Sequence, residues 1–212
     1  MFGKIIGTGS YVPKEIVTNK DLAQYLDTDD TWIRERTGVK SRHISGDKET
    51  TADMAVKAAE KALENSGLLP DEIDLIIVSS VSSNLVLPST ACFVQKAINA
   101  KNAFCFDINV ACTGFITAYN ISQTFINTGL INTALIIGAE SLSKITDWSD
   151  RKTCILFGDG AGAVVIKKDE NAMFETVMFS NGKNGDALTM ENPFALRKTN
   201  LGKNHQGQFD IS

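Results

Sequence analysis

Short apolar runs alternate along most of the chain with stretches in which apolar residues recur at helical spacing. Lys4 to Val12 reads as a first strand, with Ile5 and Ile6 buried and Pro13 closing it. Thr18 and Asn19 are capping residues ahead of a short helix around Leu22 to Leu26, and a charged helical patch from Thr28 to Thr37 stops at Gly38. Thr51 opens a helix whose Ala55, Ala58, Ala59, Ala62 and Leu63 form one small-residue stripe, ended by Gly67 and Pro70. Such a stripe lets a helix lie close to a sheet. Ile73 to Val78 is β-branched and apolar without alternation, the pattern of a parallel strand covered on both faces. Ser79 to Pro88 reads as a polar loop, and Ser89 caps a helix through about Ile98.

The next stretch combines both periods. Phe104 to Val110 has the composition of a short buried strand, while Phe115, Ala118, Ser122, Phe125 and Ile126 recur at helical spacing and Gly129 ends the helix. Ala111, Cys112, Thr113 and Gly114 lie between, so Cys112 falls on a strand-to-helix turn, where unpaired helix N–H groups favour an anion. Small neighbours would also let a substrate carbonyl reach the Cys112 backbone N–H, an oxyanion donor. A cysteine is equally a common core filler, and that is the reading of Cys92, Cys105 and Cys154; for Cys112 the spacing leaves both readings open.

Thr133 to Gly138 is another buried strand, and the strand–helix alternation up to this point is that of a doubly wound α/β sheet with helices on both faces. Two glycine patterns suggest phosphate loops and fail. After Gly7 and Gly9 the third glycine position holds Val12, and the glycine-rich run Phe157 to Ala163 leads into Ala-Val-Val-Ile, a strand rather than a helix. Lys167 to Asn171 is a charged break, giving a first half over 1–170 and the start of a second over 171–212. Phe174 to Phe179 reads as that half's opening strand, and nothing after Asn181 has the pattern of a long element.

Composition narrows the classes. The 212 residues suffice for one large core, and a net charge of -4 without a basic run argues against nucleic acid. No stretch approaches the length of an apolar membrane span, so a cytoplasmic protein without membrane contact is expected. Four cysteines without C-x-x-C spacing and two distant histidines indicate neither a disulfide framework nor a metal site.

Four motifs in register, the opening K-I-I-G-T-G-S-Y-V-P, D-T-D-D-T-W-I-R-E-R-T-G-V from Asp27, A-C-T-G-F around Cys112 and I-L-F-G-D-G-A-G-A from Ile155, resemble β-ketoacyl-acyl carrier protein synthase III. The resemblance, from residue 1 to roughly 190, implies a thiolase-like fold with a mixed sheet, represented by the first half and the start of the second. It implies that Cys112 accepts an acyl group from acyl-coenzyme A and passes it to malonyl-acyl carrier protein, in a homodimer that needs no cofactor or metal. Thr28, Trp32, Arg36 and Arg151 match residues holding the nucleotide end of coenzyme A; by type alone they fit stacking and phosphate pairing or an ordinary solvated face. Leu87, Leu142, Leu156 and Phe157 match acyl-pocket residues, with Leu87 reaching the partner's pocket, and are equally apolar core. The catalytic His and Asn of the family have no counterpart here, because K-N-H-Q-G-Q around His205 lacks the family context. The expectation is therefore an incomplete condensing enzyme, inactive in condensation alone; the alternative is a non-catalytic fragment or dimerising subunit of the same fold. An unrelated nucleotide-binding domain is disfavoured by the failed glycine patterns.

Overall fold

The computed structural model describes residues 1–190 and two short strands, Gly202–Lys203 and Phe209–Asp210. His205 lies outside the described residues. The chain divides into compact units Met1–Glu175 and Thr176–Ser212.

In the first unit the elements follow in order as β1 (Phe2–Tyr11), β2 (Glu15–Thr18), α1 (Asn19–Leu22), α2 (Asp30–Thr37), β3 (Ser41–Ile44) and α3 (Thr51–Ser66). After them come β4 (Leu75–Ser79), α4 (Thr90–Ile98), β5 (Phe104–Ile108), α5 (Gly114–Asn127), β6 (Thr133–Ser141) and β7 (Asp159–Asp169). Five strands form a mixed sheet in the order β1-β7-β6-β4-β5, and β2 pairs with β3 in a separate hairpin. β4 runs parallel to both β5 and β6, whereas β7 is antiparallel to β6 and β1.

Both faces of the sheet are covered, which is why β4 shows no alternation. Its Ile76 and Val78 pack with α3 and α4, while Leu75 and Ile77 pack with α5 on the other side. All five β4 residues are buried. The helix signals are realised as capping geometry. Thr50 and Thr18 close capping boxes at α3 and α1, Ser89 caps α4, and Gly38 and Gly67 end α2 and α3 at φ of 75° and 71°.

Gly7 and Gly9 belong to packing, not phosphate binding. A Cβ on Gly9 would stand 2.2 Å from the Ala58 carbonyl oxygen, and one on Gly7 would stand 2.4 Å from that of Ala62. The alanine stripe of α3 thus meets two bare stretches of β1.

Three expectations about strands are corrected. Ile5 is exposed, because β1 is an edge strand with a bulge between Ile5 and Gly7. β5 is the opposite edge, so Phe104 is exposed and the rest of the strand half-buried rather than fully covered. Residues 174–179 form no strand: among the described residues no neighbouring strand supplies hydrogen bonds, and Val177 and Phe179 are exposed. The following unit contributes a 3-10 turn, Gly182–Ala187, and the two-stranded pairing of β8 (Gly202–Lys203) with β9 (Phe209–Asp210).

Candidate active site

β5 ends at Ile108, a 3-10 turn occupies Ala111–Thr113, and α5 begins at Gly114. Cys112 is the middle residue of that turn and the exposed member of the four cysteines; Cys92 and Cys105 are half-buried and Cys154 is buried. Its predecessor Ala111 sits at φ 46°, in the left-handed region that costs a non-glycine residue about 1–2 kcal/mol. Strain of this kind holds a nucleophile clear of the backbone at other sharp strand-to-helix turns.

Two contacts fix the turn. The Thr113 hydroxyl donates to the Val110 carbonyl at 3.1 Å, and Gly114 lies so close to Ser79, the last residue of β4, that a Cβ would come within 1.8 Å of the Ser79 hydroxyl. Glycine at 114 therefore answers a steric need. Among the described residues no side chain caps α5, and the Gly114 N–H donates to the Ala111 carbonyl. The other cysteines behave as packing residues. Burial and then the neighbouring Cys92 push the Cys105 thiol up to about 11, and burial also raises the Cys154 thiol.

The second cluster assembles on α2. Asp29 caps the helix by accepting from the Trp32 N–H at 2.8 Å. The guanidinium carbons of Arg36 and Arg151 lie 4.9 and 5.2 Å from the centre of the Trp32 ring. Three of the four residues matched to coenzyme A binding thus meet around one indole ring, although Arg151 is remote in sequence. Arg151 is held there by the Asp27 carbonyl and, at 3.2 Å, by the Asp27 carboxylate. Thr28 lies next to Asp27, and among the described residues its buried hydroxyl has no hydrogen-bond partner. An unmet buried hydroxyl costs about 1–3 kcal/mol. Two guanidinium groups beside an indole ring fit a purine bearing phosphates.

The four residues expected at an acyl pocket are not gathered into a described cavity. Leu87 and Leu156 are 82% and 49% exposed, and Leu142 and Phe157 are half-buried. A cleft of about 300 Å³ is lined by Val17, Leu22, Tyr25, Leu26, Ile44 and Trp148, and another of about 470 Å³ lies beside Gly3, Ile5 and Tyr119. None of the four lines either.

Sequence reasoning missed the carboxylates that anchor the loops around these residues. Asp159, buried at the start of β7, accepts from the backbone and hydroxyl groups of Ser45 (2.7 and 2.6 Å) and Ser143 (2.8 and 2.5 Å). The glycine-rich run is thus a junction between loops, and it opens the strand β7 rather than a helix. Glu140 in β6 accepts from the N–H groups of Val81 and Ser82 at 2.9 and 3.1 Å and holds the base of the loop that carries Leu87. Asp107 in β5 takes the first N–H groups of α4 at 2.6 and 2.8 Å. Their one sequence signal was an acidic residue inside, or opening, an apolar strand. His43 lies in β3 with Nδ1 2.6 Å from the Pro13 carbonyl oxygen.

A mixed sheet sandwiched between helices, with an exposed cysteine on the turn after an edge strand, is the arrangement of a thiolase-like α/β protein. A family profile described as 3-oxoacyl-[acyl-carrier-protein] synthase III matches residues 106–182. The β-ketoacyl-[acyl-carrier-protein] synthase III of Clostridium acetobutylicum is 53% identical over 201 residues, covering 92% of this chain and 62% of that protein. The Aquifex aeolicus 3-oxoacyl-[acyl-carrier-protein] synthase III structure superposes with a TM-score of 0.78 at 50% identity, over 80% of this chain and 55% of that one. The Thermus thermophilus enzyme gives 0.85 at 36% identity, over 97% and 62%. Over most of its own length the chain is similar to β-ketoacyl-acyl carrier protein synthase III proteins, and it spans a little over three fifths of the length of this Clostridium relative.

Proposed function

We propose that this chain carries the acyl-accepting centre of an initiating condensing enzyme of fatty acid synthesis. The observation that supports it most is the exposed Cys112 on a left-handed turn at the uncapped start of α5. In this reading the Cys112 sulfur attacks the thioester carbonyl of an acyl-coenzyme A held at its nucleotide end by Trp32, Arg36 and Arg151, with Thr28 beside them. The carbonyl oxygen becomes an oxyanion stabilised by backbone N–H groups of the turn. Collapse breaks the carbon–sulfur bond to coenzyme A, which leaves as a thiolate and takes up the proton given up by Cys112. The acyl-cysteine is then condensed with malonyl-acyl carrier protein with loss of carbon dioxide, in the whole enzyme as a homodimer. Leu142, Leu156, Phe157 and the partner's loop around Leu87 are assigned to the acyl chain. A cytoplasmic location accords with four cysteines that are not paired as disulfides and with the absence, among the described residues, of a helix long and apolar enough to cross a membrane.

The assignment is checked by alkylation with iodoacetamide followed by peptide mapping. Cys112 is expected to label first near neutral pH, and Cys105 to gain reactivity only as pH climbs towards 11, since its raised titration keeps it a neutral thiol below that. Faster labelling of Cys105 or Cys154 than of Cys112 in folded protein would sink the assignment.

A further inference from the structure

Behind Trp32 lies a polar centre that the proposed chemistry leaves unused. Arg42 in β3 is 4% exposed and Asn19, the first residue of α1, is 0% exposed. Arg42 donates from Nη1 to the Val17 carbonyl at 3.1 Å and from Nη2 to Asn19 Oδ1 at 2.8 Å and the Ile155 carbonyl at 3.2 Å. Asn19 in turn donates from Nδ2 to Asp30 Oδ1 at 2.9 Å and to the Val39 carbonyl at 2.8 Å. Chemistry dictates which way this amide faces. A guanidinium can only donate, and the carboxylate and carbonyls on the other side can only accept.

The pair joins the two sources of the coenzyme A cluster. Asp30 is the first residue of α2 and Val39 lies just past its end, so one amide grips both ends of the helix that bears Trp32 and Arg36. Ile155 lies in the segment that follows Arg151. Around them Leu22, Ile33, Cys154 and Ile155 form an apolar cluster against which Trp32 packs, separate from the two cores of the main sheet. Among the described residues Arg42 forms no ion pair, and its Nε has no partner. A buried cation that ends on carbonyls and one amide is costly as a stabilising device, so its value lies in the geometry it imposes.

We propose that Asn19 and Arg42 are positioning residues for the coenzyme A site, locking α2 to the 151–155 segment so that Trp32, Arg36 and Arg151 stay in register. This rests on the reading of Trp32, Arg36 and Arg151 as that site. Asn19→Asp separates positioning from packing: it keeps an acceptor for Arg42 and adds a counter-charge, but it removes the donor to Asp30 and Val39 and sets a carboxylate against Asp30. In a Trp148→Phe background, where Trp32 is the remaining tryptophan, fluorescence reports both the cluster and titration with coenzyme A.

Asn19→Asp is expected to shift Trp32 emission and to weaken coenzyme A binding at least tenfold, with Cys112 alkylation unchanged. Asn19→Asp combined with Asp30→Asn, which exchanges donor and acceptor, is expected to restore most of the affinity. Arg42→Lys, which keeps the charge and loses the fork, should bind as weakly as Asn19→Asp. Parental emission and affinity in Asn19→Asp, or a loss that the double exchange does not recover, overturns the positioning role. A parent protein that binds no coenzyme A while Cys112 still alkylates overturns the ligand reading, and the inference with it; the emission shift would then show that the contact network survives without that ligand.

Discussion

Ala111 and Gly114 explain, one residue at a time, how a cysteine comes to stand clear of the turn: the first holds a left-handed backbone at φ 46°, the second leaves room for Ser79. The first of these was not legible in the sequence. Ala-Cys-Thr-Gly is a composition of small residues that marks a turn, but it does not say which residue takes the positive φ. Position in the turn was legible, because a β-branched run stops and a helical period starts on either side of it. Acyl size is argued at the same scale. In the proposed reading Leu87 reaches the partner's pocket and leaves more room there than an aromatic side chain would, so isobutyryl-coenzyme A should acylate Cys112 at a rate comparable to acetyl-coenzyme A. Leu87→Phe should lower the isobutyryl rate alone, by a discrimination of about 1–3 kcal/mol. Equal effects on both substrates, or none, would remove Leu87 from the pocket.

Between elements, the packing of α3 on β1 is the clearest case in which a sequence pattern is realised through contact. Ala55, Ala58, Ala59 and Ala62 are all fully buried, and Gly7 and Gly9 face the backbone of that helix. Gly9→Val would drive its side chain into the Ala58 carbonyl, so α3 must move or β1 detach. Destabilisation of at least about 1–3 kcal/mol is expected from overpacking alone, read as a lower denaturation midpoint. An unchanged midpoint would mean that the helix tolerates displacement. Strand identity was largely legible and strand burial was not. Apolar runs located β4, β6 and β7, whereas β1 and β5 proved to be sheet edges, because strand order depends on long-range pairing that no local pattern encodes. Residues 174–179 show the same limit, since their strand-like composition finds no partner among the described residues.

For the whole molecule, the candidate site was legible chiefly through resemblance. Trp32, Arg36 and Arg151 have no shared local pattern, and their convergence on one indole ring needs the tertiary fold to bring the segment after β6 against α2. The anchors Glu140, Asp159 and Asp107, and the Asn19–Arg42 centre, were not read from the sequence because each acts through backbone groups distant along the chain. The chain covers 62% of its Clostridium relative, and the account assigns to these residues the acylation half of the reaction. Its central claim is that Cys112 takes the acyl group. Intact-mass measurement after incubation with acetyl-coenzyme A, followed by peptide mapping, tests it most directly. The account predicts one added acetyl group, carried by the Cys112 peptide and absent in Cys112→Ser; an unmodified chain, or an acetyl group on any other residue that persists in Cys112→Ser, would contradict it.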